Sequence, residues 1–235
     1  MGRVFEKRKH KMFARFAKMA KTFTRIGKEI AMAAKQGGGD PDTNSRLRLV
    51  IQNAKAVNMP KVNIDAAIKR ATNKDMKDYE EMIYEGYGPH GVAIVIETAT
   101  DNPTRTVANV RHCFSKGEGT LGKTGSLDFM FDRKGVFEIE LGNRNLEELE
   151  LELIDHGLEE IDQDGNKVII TVPFTEFGNM QKALEEKKIT VVSSDKERVP
   201  NTFKEVTPEQ EAEVQKLIDL LEDDDDVQNV FHNMK

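Results

Sequence analysis

This 235-residue chain contains no tryptophan, only one cysteine (Cys113), and few aromatics, at 6%. A single cysteine excludes an internal disulfide framework and fits a reducing compartment. The paired cysteines of a structural zinc site are missing, and the five histidines are scattered without ligand spacing. We therefore expect no metal and no cofactor. No apolar run approaches the roughly 20 residues that a bilayer span requires. No apolar stretch of signal-peptide type follows the basic start, so neither a secretory signal nor a membrane partner is expected. A soluble, cytoplasmic protein is the expectation, with 38% hydrophobic and 32% charged residues.

The net charge of −6 hides an asymmetry. Residues 1–78 hold 19 Lys+Arg against 7 Asp+Glu, a net of +12, and residues 79–235 carry a net of −18. Such a chain is a dipole: its basic part can approach a polyanion while the acidic remainder limits indiscriminate binding. Residues 1–35 are the extreme, with 11 Lys+Arg against Glu6 and Glu29. With so few carboxylates available for i,i+4 pairing, the like charges repel, and a polyanionic partner accounts for keeping them.

Periodicity divides the chain. Phe13, Phe16, Ala17, Ala20, Phe23, Ile26, Ile30 and Ala34 recur at helical spacing, with basic residues on the opposite arc. Gly37 to Asp42 is a stop and loop. A second helix follows Asn44. A third follows Asn58-Met59-Pro60, where Asn58 reads as a cap and Pro60 as a first-turn residue. Beyond Tyr79 strands and helices alternate: strands at 91–97, 126–132, 136–141, 158–162, 168–172, 189–193, 199–206 and 227–231, with helices near 103–115, 146–155, 174–187 and 208–221. The stretch from Val136 to Ser193 reads β-α-β-β-α-β, the ferredoxin-like pattern. The expected fold class is α+β: a helical N-terminal domain (1–78), a middle ferredoxin-like domain assembled from 79–132 and 198–235, and a second such domain (133–197) inserted into it.

Two glycine patterns invite an enzymatic reading. Gly117-Glu118-Gly119-Thr120-Leu121-Gly122-Lys123-Thr124 matches the phosphate-binding P-loop literally. That chemistry needs strand, loop, then helix; here a helix precedes and a strand follows. Gly86-Tyr87-Gly88-Pro89-His90-Gly91 fits G-x-G-x-x-G, but precedes a strand and contains Pro89. Both read as turns. Asp101-Asn102-Pro103 reads as a helix start, and Arg105, which has no capping task, is the residue there that could serve binding. His112 and Cys113 are adjacent, so on a helix they do not face each other. Glu222 to Asp226 reads as a solvated helix end or a partner surface. We expect no catalytic residues and no small-molecule substrate.

The basic residues are the candidate nucleic-acid contacts: Arg3, Lys7, Arg8, Lys9, Lys11, Arg15, Lys18, Lys21, Arg25, Lys28, Arg46, Arg48, Lys69, Arg70 and Arg105. Their chemistry suits phosphate contact, which gives sequence-independent affinity. The expected partner is duplex DNA or ribosomal RNA. No helix with Asn, Gln and Arg gathered at its start is evident as a base reader.

Several segments together resemble the YebC/PmpR family: Gly37 to Asp42 with Asn44 and Arg46-Leu47-Arg48; Asn58-Met59-Pro60; Ala67-Ile68-Lys69-Arg70; Tyr84 to Pro89; Thr100-Asp101-Asn102; Arg105-Thr106-Val107; Gly125-Ser126; and Phe129-Met130-Phe131. The resemblance implies a helical domain followed by two ferredoxin-like domains, and a cytoplasmic, DNA-binding transcriptional regulator. The family also includes a mitochondrial translational activator and bacterial members tied to ribosomes stalled on proline-rich stretches, so the ribosome is a second candidate partner. Many members begin Gly-His-Ser-Lys-Trp. This chain has Gly2-Arg3-Val4-Phe5-Glu6-Lys7 instead, so no contact made by that tryptophan is carried over.

Overall fold

The structure is a computed structural model. It describes the backbone of residues 3–73 and 77–235 and, within those ranges, side chains from Met19 onward, Asp164 excepted. Three helices come first: α1 (Arg3–Gly37), α2 (Ser45–Ala56) and α3 (Lys61–Thr72). Ile30, Ala33 and Ala34 of α1 pack with Leu47, Val50 and Ala54 of α2, Met59, and Ile64 of α3. Small residues on α1 allow the close helix approach this core requires.

Asn44 joins the first two helices. Its Nδ2 donates to Ala33 O and Gly38 O, both at 2.8 Å, and its Oδ1 accepts from Leu47 N at 3.0 Å. One buried side chain thus satisfies end groups of α1 and α2 that would otherwise be orphaned. A Cβ on Gly37 would lie 2.7 Å from the Asn44 amide, so glycine is required where α1 ends. The start of α3 differs from expectation. Pro60 is the N-cap residue and makes no side-chain capping bond. Asn58 instead takes a left-handed φ of 59° just after α2, a conformation its short polar side chain tolerates.

The rest of the chain builds two four-stranded antiparallel sheets. The first has the order β3-β1-β2-β8, from β1 (Glu80–Tyr87), β2 (Ala93–Thr100), β3 (Thr120–Leu121) and β8 (Val227–His232). Helices α4 (Pro103–Lys116) and α7 (Pro208–Glu222) cover one face, where Val110, Phe114, Val214 and Leu217 bury Ile94 and Ile96. Ala93 and Val95 point to the other face and meet Leu127 and Phe131. The near-continuous apolar run of β2 follows from burial on both sides.

The second sheet has the order β5-β6-β4-β7, from β4 (Phe131–Glu140), β5 (Glu160–Asp164), β6 (Lys167–Pro173) and β7 (Val191–Pro200). With α5 (Leu146–Ile154) and α6 (Phe177–Glu186) it is the ferredoxin-like arrangement expected from the pattern. Its core joins Phe137, Ile139, Ile170, Leu153, Met180 and Leu184. All its strands fall between stretches of chain that build the first sheet. The fold is therefore α+β, with helices first and one sheet unit inserted within the other.

The first sheet reaches four strands by a route the pattern did not anticipate. Its strand β1 pairs along its whole length with β2, from Glu80↔Thr100 to Tyr87↔Ala93. The run Glu80-Glu81-Met82-Ile83-Tyr84-Glu85-Gly86 carries little β-propensity, which concealed it. The expected strand at 126–132 is instead a bend and one 3-10 turn, Asp128–Met130, before β4 begins. The two strands expected at 189–193 and 199–206 are replaced by the single strand β7, which pairs with β4 from Phe131↔Pro200 to Ile139↔Val191.

Candidate nucleic-acid interface

The predicted basic residues fall into three groups. The side chains of Arg3, Lys7, Arg8, Lys9, Lys11, Arg15 and Lys18 lie outside the described residues, although their backbone belongs to α1. Lys69 is exposed in the last turn of α3. Each of the others is bonded within the chain.

Lys21, Arg25 and Lys28 recur at helical spacing on α1 and meet one segment. Lys21 pairs with Asp223, and Arg25 Nη2 donates to Glu222 O at 3.1 Å. Lys28 is buried, at 7% exposure. Its Nζ donates to Ala99 O at 2.9 Å, Asp225 O at 2.7 Å and Asp226 Oδ1 at 2.8 Å. An ammonium has three donors, and all three are used. The acidic run 222–226, read from sequence as a solvated end or partner surface, is the surface that receives the second half of α1.

Asp226 is the centre of this junction. It also accepts from Thr100 Oγ1 at 3.1 Å, Thr106 Oγ1 at 2.8 Å and Arg105, whose Nη2 lies at 2.6 Å. Burial alone would raise its pKa. Hydrogen bonds from Lys28, Arg105 and Thr106 outweigh burial and bring it down to about 2. Arg105 also donates to Asp101 at 3.1 Å, so the residue expected to be available for binding at this helix start is engaged internally. Asn102 is the cap of α4, accepting from Arg105 N at 3.2 Å. Nothing in the amino-acid order sets Asp226 apart from its acidic neighbours, because its role depends on three distant segments meeting.

Arg46, Arg48 and Arg70 make further links. Arg46 pairs with Glu81 at 2.8 Å and with Gln36. Arg48 forks onto Glu185 of α6, at 3.3 and 3.0 Å, and donates to Pro41 O at 3.0 Å. The Arg70 guanidinium lies 4.6 Å from the Tyr79 ring centroid. Asn53 adds a paired contact with β7: its Nδ2 donates to Ser194 O at 2.6 Å, and Ser194 N donates to its Oδ1 at 2.8 Å. The helices are thus bonded to both sheet units.

The P-loop-like segment is a turn whose glycine amides are already used, Gly117 N donating to Cys113 O at 2.9 Å. Gly119 N donates to Phe114 O at 2.8 Å and Gly122 N to Glu85 O at 2.7 Å. Gly125 N and Leu127 N donate to the buried Glu85 carboxylate at 2.9 and 2.6 Å. These donors cannot also cradle phosphate. Its glycines have a packing reason: a Cβ on Gly119 would lie 2.8 Å from Tyr87 O. The G-x-G-x-x-G segment is the β1–β2 hairpin connection, with a single 3-10 turn at Pro89–Gly91. Cys113 Sγ approaches Leu220 O of α7 at 3.5 Å, and burial pushes its thiol pKa up, the reverse of an activated nucleophile. Among the described residues no group of three His, Cys, Asp or Glu could hold a metal. Nor is any described helix long and apolar enough to cross a membrane.

Two family models match the chain: TACO1/YebC protein N-terminal domain over residues 3–74, and TACO1/YebC second and third domain over 79–234. A probable transcriptional regulatory protein of Cytophaga hutchinsonii is 60% identical over 234 residues, covering 100% of this chain and 98% of the relative. One of Parabacteroides distasonis is 56% identical, covering 100% and 97%. Among solved structures, a conserved hypothetical protein from Aquifex aeolicus is similar with a TM-score of 0.76 at 36% identity, covering 92% of this chain and 90% of that one. Matched along nearly its whole length by both models, this chain belongs to the TACO1/YebC family.

Proposed function

We propose that this protein is a nucleic-acid-binding regulator that acts without a catalytic step, and that its target is duplex DNA in transcriptional control. The observation that carries the reading is the division of labour along α1. Lys21, Arg25 and Lys28 are held by the chain's own acidic run. The proposed phosphate contacts are therefore Arg3, Lys7, Arg8, Lys9, Lys11, Arg15 and Lys18, with the exposed Lys69. The names of the relatives, probable transcriptional regulatory proteins, support the same reading. The exposed first turn of α3, with Lys61, Val62 and Asn63, follows α2 after a turn at 57–60 and offers side chains of the types that read base edges. The single cysteine supports a cytoplasmic setting. The three proposed domains divide near residues 78, 132 and 197.

A second reading, a ribosome-associated translation factor, is favoured by one feature. Most basic residues proposed for contact lie along one helix instead of at the start of a base-reading helix, an arrangement suited to the shape and backbone of folded RNA. In-cell crosslinking followed by sequencing of bound DNA and RNA together separates the two. Enrichment of promoter DNA supports the first. Dominance of ribosomal RNA replaces it with the second, and enrichment of neither overturns both.

A further inference from the structure

Only the turn 57–60 separates α2 from α3. Two short helices joined so closely are the helix-turn-helix pattern, whose second helix enters the major groove of DNA. The local geometry suits it. Asn58 holds a left-handed φ of 59°, which turns the chain sharply at one residue. Asn58 N donates to Lys55 O at 2.9 Å and Met59 N to Ala54 O at 2.8 Å, so the turn is tied back onto α2. Ala54, Met59 and Ile64 are buried in one cluster. A small residue at 54, one helical turn before Asn58, lets α3 approach α2 closely. A glycine is the usual residue for such a turn; here an asparagine supplies the left-handed position.

The outer side of α3 distinguishes a reading helix from a purely structural one. Lys61, Val62, Asp65, Ala66 and Lys69 fall on one arc at helical spacing and are all exposed, whereas Ile64, Ala67 and Ala71 turn inward to the helical core. Val62 is 76% exposed, an apolar side chain set within a charged face and left uncovered by the chain.

Charge gives the partner. Residues 45–73 hold six Lys+Arg against Asp65 alone. Arg46, Arg48 and Arg70 are engaged inside the chain. The ammonium groups of Lys55, Lys61 and Lys69 belong to exposed residues and have no ion pair among the described residues. Resting on the duplex-DNA reading above, we propose that α3 is a recognition helix lying in the major groove. Lys61 donates to guanine O6 and N7, the Val62 methyls meet a thymine methyl, and Asp65 accepts from a cytosine amino group. Ala66 is small enough for close approach, and Lys55 and Lys69 hold flanking phosphates. A helix about 10–12 Å across fills a groove about 12 Å wide. The major groove of A-form RNA is too deep and narrow to be read this way, which commits the face to DNA.

Selection by the full chain from a pool of duplexes randomised over one helical turn tests this. Enrichment of a short common motif is expected. Methylation of guanine N7 within it, a major-groove atom, should block binding. Lys61→Ala and Val62→Ser should each lower the preference for that motif over a scrambled duplex by about tenfold, and relax it at one base position. Both residues are exposed, so the variants keep the parent's circular dichroism. Val62→Ser should leave affinity for the scrambled duplex and its salt slope as in the parent, which separates base reading from phosphate contact. Binding to duplexes without any enriched motif overturns the recognition helix and leaves the phosphate contacts of α1 standing. A motif preference that survives both substitutions, or is indifferent to N7 methylation, overturns it too. Failure to bind any duplex overturns both readings.

Discussion

The Lys28 ammonium sits 2.8 Å from Asp226 Oδ1, with the two side chains only 8% and 6% exposed. This ion pair joins the helical start of the chain to the turn before its last strand, 198 residues away. It is sustained because Lys28 also donates to the Ala99 and Asp225 carbonyls while Asp226 also accepts from Thr100, Arg105 and Thr106, the added hydrogen bonds that a buried pair needs to hold together.

Removing one member leaves the other buried and unmatched. Lys28→Met and Asp226→Asn are each expected to cost about 3–5 kcal/mol in urea denaturation. The double variant is expected to cost less than the sum of the two, because the second change removes the charge that the first stranded. Strict additivity would show that the pair is not coupled.

Acid should loosen the same junction. The Asp226 pKa is about 2 in the fold against an ordinary 3.8. A lowered carboxylate stabilises the fold fully above its open-chain pKa, and that stabilisation is lost as pH falls through the folded value. Urea midpoints measured from pH 5 to pH 2 should fall mostly below pH 4, by on the order of 2 kcal/mol for this group. Asp226→Asn should flatten that decline. An unchanged profile in the variant would assign acid sensitivity elsewhere.

Glu29 behaves oppositely. Its pKa is raised from 4.5 to about 7, chiefly by burial. The associated stability is fully present below about pH 4.5 and is lost as pH rises through about 7. Glu29→Gln should therefore be more stable than the parent at pH 8 and close to it at pH 4, by thermal unfolding. A variant that is less stable at pH 8 would contradict this assignment.

Much of this was legible in the sequence, for identifiable reasons. Helical periodicity marks α1 to α3, and the strand–helix rhythm after Val136 marks the inserted unit, because both are repeating local signals. Strand β1 was hidden because Glu85 is a buried carboxylate, held by the amides of Gly125 and Leu127 some forty residues on. The basic face of α1 was visible as charge. Its partition was not: that Lys28 is spent on Asp226 while Lys69 stays exposed depends on contacts between distant segments. The P-loop match failed for a reason the sequence did contain, the order of helix and strand.

Phosphate contact is proposed for the first half of α1. Its most direct test is the salt dependence of duplex DNA affinity for the parent and for a variant with Arg3, Lys7, Arg8 and Lys9 changed to Gln. Each lost phosphate contact lowers the slope of log affinity against log salt by about 0.9. A slope shallower by about 3 or more is expected with the urea midpoint unchanged; equal affinity and slope in parent and variant would rule out phosphate contact by these residues.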